Sequence, residues 1–185
     1  VRNDACPLNF NAPSLGGEAI RAHKSIKGYM EDLPAVGSTV CEAGEYYRKH
    51  NPLIDFSDTP PQSVVPYSQI GADLASNHYP TIAFVVPNVL NDMHDRSIAV
   101  GDAWLASNLP PIIDFNAKHN GLLILTWDED DRGSHNHIAT IAVGPMLRAG
   151  NDDQRIDHYS VLRTITDLFR LPPLDQAAPI AQLVH

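Results

Sequence analysis

The chain has 185 residues, 43% of them hydrophobic and 19% charged, with a formal net charge of −9. This is the composition of a globular protein with a sizeable core, and a single domain over residues 1–185 is expected. An acidic balance of that size gives no electrostatic footing on nucleic acid, and no apolar run approaches the roughly 20 residues that a membrane span needs.

The chain opens at Val1 in a loop-like stretch, VRNDACPLNFNAP, with no signal-peptide pattern, and reads as processed or truncated. Cys6 and Cys41 lack zinc-site spacing. They form either one disulfide, closing a loop of about 35 residues in an oxidising compartment, or two buried thiols. Ser14 to His23 predicts a short helix, and Ile26 to Tyr29 a short strand. Residues 30–80, rich in Pro, Gly, Ser and Asp, predict a long irregular excursion; loops of that length are usually functional or well tied down.

Periodicity sharpens after Tyr79. TIAFVV (81–86) is a short apolar, β-rich run that stops at Pro87. SIAVGDAWLASNL then predicts a helix, with Ile98, Trp104, Leu105 and Leu109 near one face. PIIDFNAKH predicts a second helical stretch, started by Pro110 or Pro111. LLILTW (122–127) and IATIAVG (138–144) read as buried strands. Asp157 is a plausible N-cap for a last helix that carries Val161, Leu162, Ile165, Leu168 and Phe169 on one face and stops before Pro172. Strands that are apolar on both faces, alternating with helices, predict an α/β fold with a mostly parallel sheet covered by helices.

Ligands bind beyond the carboxyl ends of strands in such sheets, and two of those ends carry polar clusters. NDMHD (91–95) follows the 81–86 strand, and four adjacent acidic residues, Asp128 to Asp131, follow the 122–127 strand. His135, Asn136 and His137 precede the 138–144 strand. If the first two strands are neighbours, carboxylates and imidazoles converge on one edge. That mixture suits a divalent cation, with carboxylates favouring Mg, Ca or Mn and imidazole adding affinity for Zn or Fe. The plainer alternative is a solvated acidic loop, since a single Asp is most often a turn former or cap. His23, His50, His78 and His119, each isolated, read as structural or solvated. No nucleophile stands out: there is no GxSxG, Walker loop, HExxH or CxxC, and Ser134 has only a turn context.

YMEDLP (29–34), YYRKHNPLIDF (46–56), FVVPNVLNDMHD (84–95), GDAWL (101–105), LLILTWDEDD (122–131), NHIATIAVGP (136–145) and IDHYSVLRTITDLF (156–169) occur in an order that resembles the phosphoesterase family. This family groups acid phosphatases with phospholipase C-like enzymes, within the alkaline phosphatase superfamily. The resemblance implies a doubly wound α/β sheet and metal-dependent hydrolysis of a small phosphate ester. It implies a divalent cation held by Asp128 and Glu129, with Asp92 as a further ligand or as the group that orients His94. It implies that His94 and His137 contact the phosphate. The segment GSHNHI (133–138) leans toward the phosphatase branch, hence toward phosphomonoesters and a secreted or periplasmic setting. The Glu-Asn pair and the Ser or Thr nucleophile of the family lie upstream of the region that VRNDACP resembles. The chain therefore corresponds to the C-terminal two-thirds of the family domain, with those groups expected from elsewhere, including a second chain. The competing expectation is a catalytically incomplete domain that binds a cation without turnover.

Overall fold

The computed structural model describes residues 4–130, 132–175 and 178–183. The chain forms two compact units, the first running to Asn108 and the second starting at Leu109.

The first unit has an α/β architecture. Strand β1 (Ile26–Met30) lies between β4 (Val64–Pro66) and β5 (Ile82–Val86), and both pairings are parallel. Gly28 sits level with Val64 on one side and Phe84 on the other. Ile26, Tyr29, Met30, Val64, Val65 and Ile82 are buried, so this sheet carries the core. Helix α1 (Leu15–Arg21) starts where expected: the Ser14 hydroxyl accepts the Gly17 N–H at 3.0 Å. The same hydroxyl donates to Asp58 at 2.5 Å. A side chain at Gly16 or Gly17 would collide with Thr59 or Asp58, so the glycines let the helix start press against that turn. Helix α2 (Ile70–Ala75) presents Asp73, whose carboxylate accepts from Lys27 and Tyr29, each at 2.6 Å.

The excursion over residues 30–80 is well tied down. It contains a short antiparallel pair, β2 (Glu42–Ala43) and β3 (Tyr46–Tyr47), turning at Gly44 with φ +58°. Cys6 and Cys41 are bridged by a disulfide across 35 positions. Arg48, buried, pairs with buried Asp55 at 2.8 Å and donates to the carbonyls of Thr39 and Leu8 at 2.8 and 3.1 Å. A buried guanidinium without those acceptors would be costly, so the pair fixes the loop and the N-terminal segment together.

Helix α3 (Ile98–Lys118) is continuous through Pro110 and Pro111, where two separate helical stretches were expected. Those prolines withhold two N–H donors. They lie on an exposed side of the helix, near Ala106 and Ser107, where water can satisfy the freed carbonyls. The chain passes from the first unit to the second within this helix.

In the second unit, β6 (Leu123–Thr126) and β7 (Thr140–Val143) pair antiparallel, with Thr126 opposite Thr140. The sequence predicted two strands of a parallel sheet, buried on both faces. Instead Ile141 and Val143 of β7 are exposed. A parallel return needs a crossover, usually a helix; residues 127–139 contain only turns and bends among those described, and the chain doubles back. Helix α4 (His158–Leu168) starts at a capping box: Asp157 accepts the Ser160 N–H at 2.9 Å, and the Ser160 hydroxyl reaches back to the Asp157 N–H. The most buried positions of α4 are Ser160, Thr164 and Thr166 rather than its apolar stripe. Thr164 Oγ1 accepts the Ile180 N–H at 2.8 Å and donates to the Ser160 carbonyl, so the helix packs these hydroxyls under the C-terminal segment.

Candidate functional site

In the first unit the carboxyl ends of β1 and β5 lie side by side, and the loops leaving them interlock. Glu31 and Asp32 follow β1. The Glu31 carboxylate accepts the Asn88 N–H at 2.9 Å, the Asn91 side-chain amide at 3.0 and 3.1 Å, and the Trp104 indole N–H at 3.1 Å. Asp32, at φ +60°, accepts from the Asn88 side chain at 2.7 Å. Asn88 Oδ1 in turn takes the N–H groups of Leu90 and Asn91. The loop that carries Asp92 and His94 is thereby fastened to β1 and α3. Gly101 completes the fastening, because a Cβ there would strike the Met93 side chain.

On that loop Asp92 Oδ1 accepts the His94 N–H at 2.8 Å, and Asp92 Oδ2 lies 3.7 Å from His50 Nδ1. His94 Nδ1 lies 2.6 Å from Asp95 Oδ1. The hydrogen bond with Asp95 raises the His94 pKa above its ordinary value, and the nearby Asp92 charge adds to it. A small cavity opens beside this edge, lined by Glu31, Tyr46, Tyr47 and His50 among others. Asp92 and His94 share this loop, with Asp92 on the His94 backbone and Asp95 on its ring, while β5 and β6, whose ends carry the two predicted clusters, belong to different sheets. Glu31, Asp32, Asn88 and His50 are additions. The clue was present for the first two, since ED follows β1 as an acidic pair follows β6. His50 gave no such clue.

In the second unit Asp128 and Glu129 follow β6 and are exposed. Asp130 is turned inward on its own loop. Its carboxylate accepts the N–H groups of Arg132, Ser134 and Asn136 at 2.8, 2.7 and 2.9 Å. Desolvation pushes the Asp130 carboxyl up, and these three donors together pull it below its usual range. Asp131 lies outside the described residues. Among the described residues, no hydrogen bond or ion pair engages the side-chain oxygens of Asp128 or Glu129; the Asp128 carbonyl meets His158 Nε2 at 2.8 Å. His135 and His137 line a groove with Arg155 and Asp157.

Among the described residues no group of three or more His, Cys, Asp or Glu side chains is arranged to hold a metal ion. What the second unit offers is a pair of adjacent carboxylates with uncommitted oxygens. That set fits a hard cation of the magnesium type, which is commonly held by one or two carboxylates and by phosphate oxygens.

Residues 5–172 match the phosphoesterase family. A phosphatidylinositol-3-phosphatase of Mycobacterium tuberculosis is 46% identical over 173 residues, covering 93% of this chain and 58% of that protein. A phosphate-repressible acid phosphatase of Penicillium chrysogenum is 31% identical, covering 93% of this chain and 46% of that protein. An acid phosphatase of Aspergillus fumigatus is 31% identical, covering 84% and 40%. The chain thus spans about half the length of the curated relatives it matches. No solved structure matches it.

Proposed function

This chain belongs to the phosphoesterase family, and on that premise we propose that it supplies part of the site of a metal-dependent phosphatase acting on small phosphomonoesters. The observation that carries the reaction class is the match over residues 5–172, joined by relatives named as phosphatases. Asp128 and Glu129 hold the cation in this reading, because their oxygens are uncommitted while Asp130 is spent on its own loop. A divalent cation there supplies Lewis-acid stabilisation of a phosphoryl oxygen. His94, kept protonated to higher pH by Asp95, donates to the phosphate or to the leaving oxygen. Asp92 holds the His94 backbone in place, and His50 supports Asp92. His137 offers a further donor to the phosphate. The nucleophile comes from outside the residues described. The Cys6–Cys41 disulfide supports a secreted or periplasmic setting. No helix of the described residues is long and apolar enough to cross a membrane.

The test is phosphate release from an aryl phosphate by the whole protein, with metal content measured in parallel. Turnover that disappears on chelation and in Asp128→Ala supports the proposal. Full activity and full metal content in Asp128→Ala remove the site assignment. Metal bound without turnover in the parent protein supports instead a cation-binding domain that does no chemistry.

A further inference from the structure

We propose that the groove between the 134–137 loop and the start of α4 binds a second anionic group of the substrate, a phosphate on the leaving-group side, and that Arg155 is the residue that selects for it. This rests on the phosphatase reading above and names the substrate class more narrowly. The groove has a volume of about 560 Å³, and its polar lining is His135, Asn136, His137, Arg155, Asp157 and Ser160. The chain as a whole carries 22 acidic residues against 13 basic ones. On that Lys/Arg against Asp/Glu count the groove is balanced, with one guanidinium to one carboxylate and two imidazoles beside them. The Oδ1 oxygen of that carboxylate, Asp157, takes the Ser160 N–H and hydroxyl at 2.9 and 3.2 Å.

Lack of a partner does not by itself mark Arg155. Arg96 and Arg148 also make no ion pair or hydrogen bond among the described residues. What separates Arg155 is that it lines one groove with two imidazoles, all three exposed, on backbone that is tied on both sides of the groove. On one side, Gln154 donates to the Pro179 carbonyl at 3.0 Å and accepts the Ala181 N–H at 2.8 Å, while Asp157 caps α4. Arg155 is thus held between two anchored positions. On the other side, the Asp130 carboxylate takes the Ser134 and Asn136 N–H groups, which fixes the backbone on both sides of His135. A guanidinium on a fixed backbone recognises a phosphate through two parallel N–H bonds, a geometry that lysine does not reproduce. His137 belongs to the same groove, so an ester that meets His137 at its scissile phosphate brings its leaving group along the Arg155 wall.

Two measurements decide this, both on the whole protein. The first compares kcat/KM for phenyl phosphate with that for a short alkyl bisphosphate. Arg155→Ala is expected to lower the bisphosphate value about tenfold or more, through KM, and to leave phenyl phosphate within about twofold. Arg155→Lys is expected to recover only part of the loss. Equal losses on both esters, or no loss on either, overturn the selectivity. The second follows the His135 ring resonance during titration with inorganic phosphate, since His137 also reports the scissile phosphate. A saturable His135 shift that Arg155→Ala weakens supports the second anion site, and no shift, or one that Arg155→Ala leaves unchanged, overturns it. Should neither ester be turned over by the parent protein, the phosphatase reading falls and the titration alone still decides the groove.

Discussion

Glu31 and Asp130 are both carboxylates that organise a loop at the end of a strand, and they do it over very different spans of chain. Glu31 collects donors 57, 60 and 73 positions away, from the β5–α3 loop and from α3 itself. Asp130 collects donors two, four and six positions away, all backbone N–H groups of its own loop. The first arrangement exists only when the parallel sheet and α3 have assembled; the second is a property of the seven-residue segment from Asp130 to Asn136. The consequence for chemistry is a division of labour. Where the fold supplies the fastening, the acidic residue next to the strand is consumed by structure. Where the loop fastens itself with Asp130, its neighbours Asp128 and Glu129 keep their side-chain oxygens uncommitted.

The largest test of that division is catalytic. On the proposed reading Asp128→Ala lowers phosphate-ester turnover by about 100-fold or more. Asp130→Ala, which loosens the loop but removes no ligand, lowers it less, by on the order of tenfold, the low end for a group that only supports ligands. Equal losses measured side by side would dissolve the distinction between committed and uncommitted carboxylates.

A second test concerns the span of chain. Opening the Cys6–Cys41 bridge by Cys41→Ala frees a 35-residue loop and is expected to cost the first unit about 3–4 kcal/mol in chemical denaturation. Glu31→Ala comes next, at about 1–3 kcal/mol, because it strands part-buried N–H groups of Asn88 and Trp104. Trp104 reports this directly: its indole loses an acceptor, so its fluorescence emission shifts in Glu31→Ala. Glu31→Gln keeps the volume but turns an amide toward N–H donors, so it recovers only part of the loss. A Glu31→Ala protein with parent stability and parent Trp104 emission would show that the long-range fastening is incidental.

The same contrast of ranges explains how much was legible in the sequence. The short helix after Ser14, the Asp157 cap and the β1, β5, β6 and β7 runs are local patterns, and all appear close to where the sequence puts them. The antiparallel return of β7 was not legible, since its apolar run looks the same in either direction; the turn-filled 127–139 stretch decides it. The continuity of α3 was hidden by Pro110 and Pro111, which locally signal a helix start. In the candidate site, Asp92 and His94 are neighbours and were readable as a pair. Glu31 and His50 were not, because what places them at the Asp92 loop is parallel pairing of β1 with β5 and the folded-back excursion, neither of which leaves a spacing in the sequence.

The smallest expected effect is in pH, and the two loops are expected to fail at opposite ends. The Asp130 carboxyl lies below its ordinary value in the folded chain, so its contribution is complete above the unfolded value of about 3.9 and disappears as pH falls through the lower folded value. His94 lies above its ordinary value, so its contribution is complete below about 6.5 and disappears as pH rises through the higher folded value. Amide exchange at Ser134 and Asn136 should therefore quicken on acidification relative to the intrinsic rate, while the His94 ring should titrate later than a free histidine. Asp95→Asn removes the carboxylate 2.6 Å from His94 Nδ1 and brings that titration back down, whereas Asp130→Asn abolishes the acid-dependent change at Ser134 and leaves His94 alone. An unchanged His94 titration in Asp95→Asn would mean that the raised value has another source, and the first loop would lose the one group through which pH is expected to act on it.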